Sequence, residues 1–334
     1  MTPKPRPTYS AIAEAAGVSE ATVSRVLNGD PRVNPERTAA VLKVVEELGY
    51  RKNRAATALA SGRTGLIAVV IDDDLSVFAD PFWGTVTAGI SRVLMENHLQ
   101  AVLMVTPVNN VDGPVAHYLE SREVDGAIFF QLHKDALVRK LAKQKMPIVL
   151  TGSPHTDADL VFVDTDNFGG GYAATKHLIN RGCKKVAIIT GDIETTAGHQ
   201  RLDGYNQVYR ELGRVPSKSI VRQGDYSYES GQKQMAALLA ENPDVDGVFA
   251  CNDLMALGAI AVIEESGKRV PEDIAVIGFD DSIAARTSRP QLSSVRQDIV
   301  ALGEAAAELM IAQLNGESVE SRIMPVELVL RESA

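Results

Sequence analysis

Two groups of residues in this 334-residue chain have types and spacings suited to chemistry. The first lies near the start, where Ala13-Glu14-Ala15-Ala16-Gly17-Val18-Ser19 runs into Glu20-Ala21-Thr22-Val23-Ser24-Arg25-Val26-Leu27-Asn28, two short helical patterns joined at a glycine. Gly17 suits a tight turn between helices, and Ser19 offers a hydroxyl to cap the helix it begins. Val23, Val26 and Leu27 fall on one face and are expected to pack on Ile12, Ala13 and Ala16, leaving Glu20, Ala21, Ser24 and Arg25 outward. A second helix that opens on a small polar cap and presents an arginine fits a DNA major groove. The second group is Asp72-Asp73-Asp74-Leu75-Ser76-Val77-Phe78-Ala79-Asp80-Pro81-Phe82-Trp83, which holds the one tryptophan. A flat aromatic beside carboxylates can hold a sugar, with the indole on apolar ring faces and the carboxylates accepting from hydroxyls. Trp83, with Phe82 beside it, is the candidate platform and Asp80 the candidate acceptor. The same aromatics could instead open a core helix, and Asp72, Asp73 and Asp74 read as a solvated loop or as capping charges.

These groups need elements to position them. A third helix is expected from Asn34 as cap and Pro35 at its first position, with an apolar stripe of Val41, Leu42, Val45 and Leu48 and a stop at Gly49. Residues 1–52 then form a three-helix head; an alanine-rich hairpin that binds nothing is the alternative. Tyr50 to Gly62 has too few apolar residues for a core of its own and is flanked by Arg51, Lys52, Arg54 and Arg63, so residues 53–63 read as a hinge. From Thr64 onward, apolar runs alternate with helical patterns: Gly65–Ile71, Ala101–Val105, Gly126–Phe130, Pro147–Leu150, Leu160–Val163, Lys185–Thr190, Gly247–Ala250 and Ile274–Gly278 are expected strands. Such alternation predicts an α/β body of parallel sheets, with too many strands for one sheet of ordinary size. Two doubly wound sheets in two subdomains with a cleft between them follow, and binding groups gather where strands end.

Charge separates the two parts. The whole chain carries a formal −9, yet residues 1–63 hold 10 Lys/Arg against 6 Asp/Glu, a net of +4, which leaves −13 for the rest. A basic head on an acidic body can bind phosphates locally, with affinity that falls steeply with salt. Cys183 and Cys251 stand alone, in neither a disulfide framework nor a paired motif, as expected in a reducing cytoplasm. Met1 to Pro7 reads as a basic, proline-rich arm rather than a signal peptide, and no stretch is apolar enough to span a bilayer.

The chain resembles the lactose-repressor/galactose-repressor family of bacterial regulators. The resemblance rests on Ala-Gly-Val-Ser-x-Ala-Thr-Val-Ser-Arg-Val-Leu-Asn-Gly at 16–29, Glu-Leu-Gly-Tyr at 47–50 and Asn-Arg-Ala-Ala at 53–56. It continues through Arg-Leu-Asp-Gly-Tyr from Arg201, Gly-Asp-Tyr-Ser-Tyr-Glu-Ser-Gly around Tyr226, Cys-Asn-Asp-Leu-Met-Ala-Leu-Gly around Asn252, and Gly-Phe-Asp-Asp at 278–281. It implies a hinge that becomes helical on the operator, with Leu59 wedged into the minor groove, and a body like periplasmic sugar-binding proteins. DNA contacts then fall to Glu20, Ala21, Thr22, Ser24, Arg25, Asn28, Asn53, Ala56 and Leu59, with Arg25 reading a guanine. Effector contacts fall to Asp80, Phe82, Trp83, Arg201, Tyr226, Asn252 and Asp280. For Arg201 an ion pair with an aspartate is the competing reading, and Asp253 and Asp281 read as helix caps. The subdomains are expected at about 64–161 with 292–323, and 162–291 with 324–332.

Two departures from the family pattern stand out. Thr8 is followed three residues on by Ala11, so a reciprocal capping box at the first helix is missing. Thr195 stands where a purine-responsive member presents an arginine, which argues against a purine effector. Catalysis finds little support: His98, His117, His133, His155, His177 and His199 form no metal-spaced set, and neither a Gly-x-Ser-x-Gly elbow nor a Walker loop occurs. No cofactor is called for, and Gly169-Gly170-Gly171 reads as a packing turn more than an anion cradle. The resemblance therefore implies a cytoplasmic homodimer that binds a palindromic double-stranded operator and represses carbohydrate-utilisation genes until a sugar or sugar derivative occupies the cleft. The last strand ends by Arg331, which favours a dimer over a tetramer. Co-repression is the alternative sign; a transporter's sugar receptor and an α/β enzyme are the more distant alternatives.

Overall fold

A computed structural model describes residues 7–27, 29–50, 62–72, 78–106, 113–130, 136–154 and 159–334. The chain divides between Thr64 and Gly65 into two units. In the first, α1 (Tyr9–Ala16), α2 (Glu20–Leu27) and α3 (Pro35–Glu47) enclose a core of Ile12, Ala13, Val23, Val26, Val41 and Val44. Gly17 takes φ 65°, the left-handed turn that joins α1 to α2. The Ser19 hydroxyl accepts from the Thr22 amide at 3.2 Å, and Asn34 caps α3 by accepting from Glu36 N at 2.7 Å. At α1 the cap is one-sided: Thr8 Oγ1 accepts from Ala11 N at 3.3 Å and nothing returns the bond. The expected stripe of α3 is corrected. Val41 and Val44 are its buried pair, whereas Leu42 and Leu48 are 49% and 41% exposed. Two eight-residue partners cover only one row of the helix, and residues 41 and 44 occupy it.

The second unit holds two six-stranded sheets. Its elements run β1 (Leu66–Asp72), α4 (Pro81–Glu96), β2 (Gln100–Thr106), α5 (Pro114–Glu120), β3 (Gly126–Phe130), α6 (Ala136–Lys143), β4 (Ile148–Thr151), β5 (Val161–Thr165), α7 (Asn167–Arg181), β6 (Val186–Thr190) and α8 (Thr196–Glu211). They continue with β7 (Val221–Gln223), α9 (Tyr228–Glu241), β8 (Gly247–Ala250), α10 (Asp253–Glu265), β9 (Ala275–Asp280), α11 (Ile283–Thr287), β10 (Ser293–Gln297), α12 (Ile299–Leu314), β11 (Arg322–Met324) and β12 (Val326–Val329). The first sheet has the order β11-β5-β4-β3-β1-β2 and the second β12-β10-β9-β8-β6-β7. Every pairing is parallel except β10 with β12. Continuous buried runs such as Val69, Val70 and Ile71 in β1 follow from helices covering both faces. Among the described residues no helix is long and apolar enough to cross a membrane.

All eight expected strands are present, with ends shifted by no more than two residues. The expected subdomain boundaries at 161/162 and 291/292 are corrected. The chain leaves the first sheet after Thr165 and the second after Gln297, because β5 and β10 each complete their pairing before crossing. The third crossing falls between Met324 at the end of β11 and Val326 at the start of β12. The Gly169-Gly170-Gly171 run is inside α7 and is a packing device. A Cβ on Gly171 would lie 2.3 Å from the Arg201 carbonyl oxygen, so α7 and α8 touch backbone to backbone there.

Candidate functional site

The carboxyl ends of both sheets open on one cavity of about 330 Å³. Each sequence-predicted effector residue lines it: Asp80, Phe82, Trp83, Arg201, Tyr226, Asn252 and Asp280. Asp80 caps α4, with Oδ1 accepting from Phe82 N at 2.9 Å. Pro81 at the first helical position and this cap fix the start of α4, so the aromatics that follow sit in its first turn. Trp83 is 7% exposed and meets Phe82 and Phe130 edge to face, with ring centroids 5.3 and 5.7 Å away. The two readings of Trp83 are therefore compatible, for it opens a core helix and lines the cavity. Asp72 ends β1, and Asp73 and Asp74 lie outside the described residues.

On the opposite wall, Arg201 is buried in the second turn of α8. Its Nε donates to Asn167 Oδ1 at 2.8 Å, its Nη1 to the Cys251 carbonyl, and its guanidinium lies 3.6 Å from the Phe279 ring centroid. The alternative of an Arg201–aspartate ion pair is not what the described residues form: an amide, a carbonyl and an aromatic face hold it. Asn252 caps α10 through Oδ1, which accepts from Met255 N at 2.9 Å. Its Nδ2 donates to the Tyr226 carbonyl at 2.8 Å and faces Asp80 Oδ2 at 3.5 Å, across the cleft. Tyr226 takes φ 68° and its ring packs on Gly191, where an added Cβ would lie 1.9 Å from the ring. Burial pushes the Tyr226 phenol up to about 12, so it stays a hydroxyl. Asp280, at φ 111°, is held by Gln297 Nε2. Burial raises the Asp280 carboxyl well above the usual carboxylate range, with Arg201 opposing and Asp253 and Asp80 adding to the rise.

The cap reading of Asp253 and Asp281 is corrected. Asn252 and Ser282 are the caps, and each aspartate follows or precedes one. Asp253 accepts from Ser282 N at 2.7 Å and Ser294 Oγ at 2.6 Å, while Asp281 pairs with Arg296 at 2.7 Å and with Arg331. Both carboxylates are engaged by these donors, and Asn252 and Ser282 take the helix ends. Thr195 is a cap too: its hydroxyl accepts from Gly198 N at 3.2 Å and donates to the Asp192 carbonyl.

Further lining residues escaped the sequence reading, among them Ser153, Asp164, Thr165, Asn167 and Gln297. Asp164 accepts from Ser153 N and Oγ at 2.8 Å, Thr165 N at 2.7 Å and Asn167 Nδ2 at 3.0 Å. Thr165 Oγ1 donates to Gln297 Oε1 at 2.7 Å, joining the ends of the two crossover strands. Asp164-Thr165-Asp166-Asn167, a polar run directly after a buried strand, is the signal that could have revealed three of them.

In the head, Glu20, Ala21 and Arg25 are exposed on α2, and Ser24 is half-buried beside them. Thr22 is half-buried with its hydroxyl 2.9 Å from that of Ser19, which engages it in the start of the helix. Asn28, Asn53, Ala56 and Leu59 lie outside the described residues, as does most of the expected hinge.

Comparison with known proteins gives a consistent assignment. Residues 8–53 match the family described as bacterial regulatory proteins, lacI family, and residues 175–334 match the periplasmic binding protein-like domain. The HTH-type transcriptional regulator CelR of Thermobifida fusca is 39% identical over 329 residues, covering 97% of this chain and 96% of that protein. A transcriptional regulator CelR–cellobiose complex superposes with a TM-score of 0.78 at 37% identity, covering 98% of this chain and 100% of that one. The Lac repressor dimer bound to operator and the anti-inducer ONPF gives 0.89 at 27% identity, covering 98% and 99%. With a helix-turn-helix head, two parallel-sheet subdomains and this similarity along nearly its whole length, the chain belongs to the lacI family of bacterial regulatory proteins, DNA-binding transcription regulators and not enzymes.

Proposed function

We propose that this regulator is a sugar-responsive repressor, a cytoplasmic homodimer that holds a palindromic operator until a sugar occupies the cleft of its body. The observation that carries the reading is the pairing of an aromatic wall, Phe82 and Trp83, with hydrogen-bonding groups on the facing wall, Arg201, Asn252 and Asp280. Apolar ring faces suit the first and hydroxyls the second. The relative solved with cellobiose makes β-linked glucose disaccharides the first probes. Thr195 serving as a helix cap supports a non-purine effector.

At the DNA, Arg25 reads a guanine through its two-pronged guanidinium, while Glu20 and Ala21 set neighbouring bases and Thr22, Ser24, Asn28, Asn53, Ala56 and Leu59 complete the contact. Glu20 repels phosphate and accepts from a cytosine amine. Sugar binding changes the angle between the subdomains and with it the spacing of the two heads, which couples occupancy to DNA affinity. The experiment is a thermal-shift screen of sugars and nucleobases followed by operator-binding assays with each hit. A sugar that raises the melting temperature and weakens operator binding is the expected result. A sugar that strengthens operator binding would make the protein co-repressed, and a nucleobase hit would overturn the sugar assignment. Arg25→Ala is expected to cost about 1–3 kcal/mol at a correct site and to relax specificity at one base pair.

A further inference from the structure

We propose that the cleft takes an uncharged polyhydroxylated ligand and rejects its phosphorylated counterpart. The proposal rests on reading the cleft as the effector site and narrows that reading to one charge class. Among the described residues lining the cavity, Arg201 is the one cationic side chain, against the carboxylates of Asp80, Asp164, Asp225, Glu229 and Asp280. Arg201 is already committed, with Nε on Asn167, Nη1 on the Cys251 carbonyl and its face on Phe279. Its Nε is spent, which closes the side-on fork through Nε that a phosphate commonly takes from arginine and leaves only the Nη1 and Nη2 end.

Phosphates also bind at helix N-termini, through free first-turn amides and the positive end of the dipole. Five helices begin beside the cavity, and each gives a first-turn amide to a cap. Asp80 takes Phe82 N, Asp166 takes Gly169 N, Thr195 takes Gly198 N, Ser227 takes Ser230 N and Asn252 takes Met255 N. Two of these caps, Asp80 and Asp166, are carboxylates and use the favourable helix-end field themselves. Deep in the cavity, burial and neighbouring carboxylates already drive Asp280 toward its neutral form, and they act equally on any anion placed beside it. At the mouth, Asp225 and Glu229 are both exposed and add a negative rim. A neutral polyol meets none of these penalties, and its hydroxyls can donate to Asp80 and Asp280 inside the cavity rather than to the rim.

The test is titration calorimetry of the full-length protein with glucose, cellobiose and their 6-phosphates, repeated on the double variant Asp225→Asn/Glu229→Gln. The expected result is that a neutral sugar binds and that its phosphate binds on the order of 10²-fold more weakly. In the double variant that gap is expected to narrow while the neutral affinity stays within a few-fold. A phosphorylated sugar that binds as tightly as its neutral parent, or more tightly, would overturn the proposal and leave the effector reading intact. A gap unchanged in the double variant would overturn the role of the rim. Failure of all four probes in a protein that still binds operator would count against the sugar-effector reading itself.

Discussion

Beside Asp80, Asp164 and Thr165, the first sheet brings an apolar group to the cleft, Phe82, Trp83, Phe130 and Leu302, whereas the second brings Arg201, Tyr226, Asn252 and Asp280, although the two sheets share one strand order. Sheets of one strand order thus line the cleft differently, the first adding an apolar cluster to its polar groups. On the apolar wall the lining residues are also core residues: Trp83 and Phe130 belong to the hydrophobic cluster between β1, β3, α4 and α12. On the polar wall they are joined to one another and to the backbone by hydrogen bonds, as Asn252 is to Tyr226 and Arg201 to Asn167 and Cys251. The difference teaches that shape on one side is held by packing, and on the other by polar groups whose partners are fixed before a ligand arrives.

Substitutions that treat the walls separately can break this contrast. The largest effect is expected from Trp83→Ala, which removes a buried ring and should cost about 3–5 kcal/mol of stability along with sugar binding. Trp83→Phe is expected to restore the fold and part of the affinity; urea unfolding and calorimetry check both. Behind the polar wall, burial pushes the Asp253 carboxyl up to about 6, well above its ordinary 3.8. The folded protein therefore keeps a proton that the unfolded chain releases between about pH 4 and 6, so this group's contribution to stability falls as pH rises through that window. Asp253→Asn removes the dependence. Relative to wild type, the variant should gain on the order of 2–3 kcal/mol between pH 4 and pH 7, read from unfolding at each pH. An unchanged difference would mean that Asp253 is ionised throughout.

Arg201→Met leaves Asn167 Oδ1 and the Cys251 carbonyl without their donor, which should cost about 1–3 kcal/mol. Sugar binding is expected to be lost while operator binding survives, and a variant that still binds sugar would move Arg201 from ligand contact to scaffold. The smallest effect belongs to Asn252→Ala, which removes a helix cap worth about 1 kcal/mol. Here too sugar affinity should fall by more than stability does, and equal losses would make Asn252 structural alone.

The contrast between the walls also explains what was legible in the sequence. Arg201, Tyr226, Asn252 and Asp280 sit in motifs several residues long, the ones that carry the family resemblance. Phe130 and Leu302 belong to apolar runs like any other in the body, and only the assembled sheet and α12 turn them toward the cavity. Strands followed the same division. The buried β3 and β8 were read to the residue, while the short β7 and the polar β10, with one apolar residue in Ser-Ser-Val-Arg-Gln, gave no periodic signal. Asp253 and Asp281 were read as caps because sequence shows a carboxylate near a helix start. It does not show that Ser294 and Arg296 arrive from β10 and Arg331 from just beyond β12.

Trp83 is the sole tryptophan and lines the cleft, so its emission reports on that wall without labelling. The most direct measurement is a titration of this emission with cellobiose and a panel of neutral sugars, run in parallel with release of a fluorescent operator. The account predicts that one sugar changes the emission saturably and releases the operator over the same concentration range. Operator release by a sugar that leaves Trp83 unchanged, or intact operator binding with no response to any sugar, would contradict it.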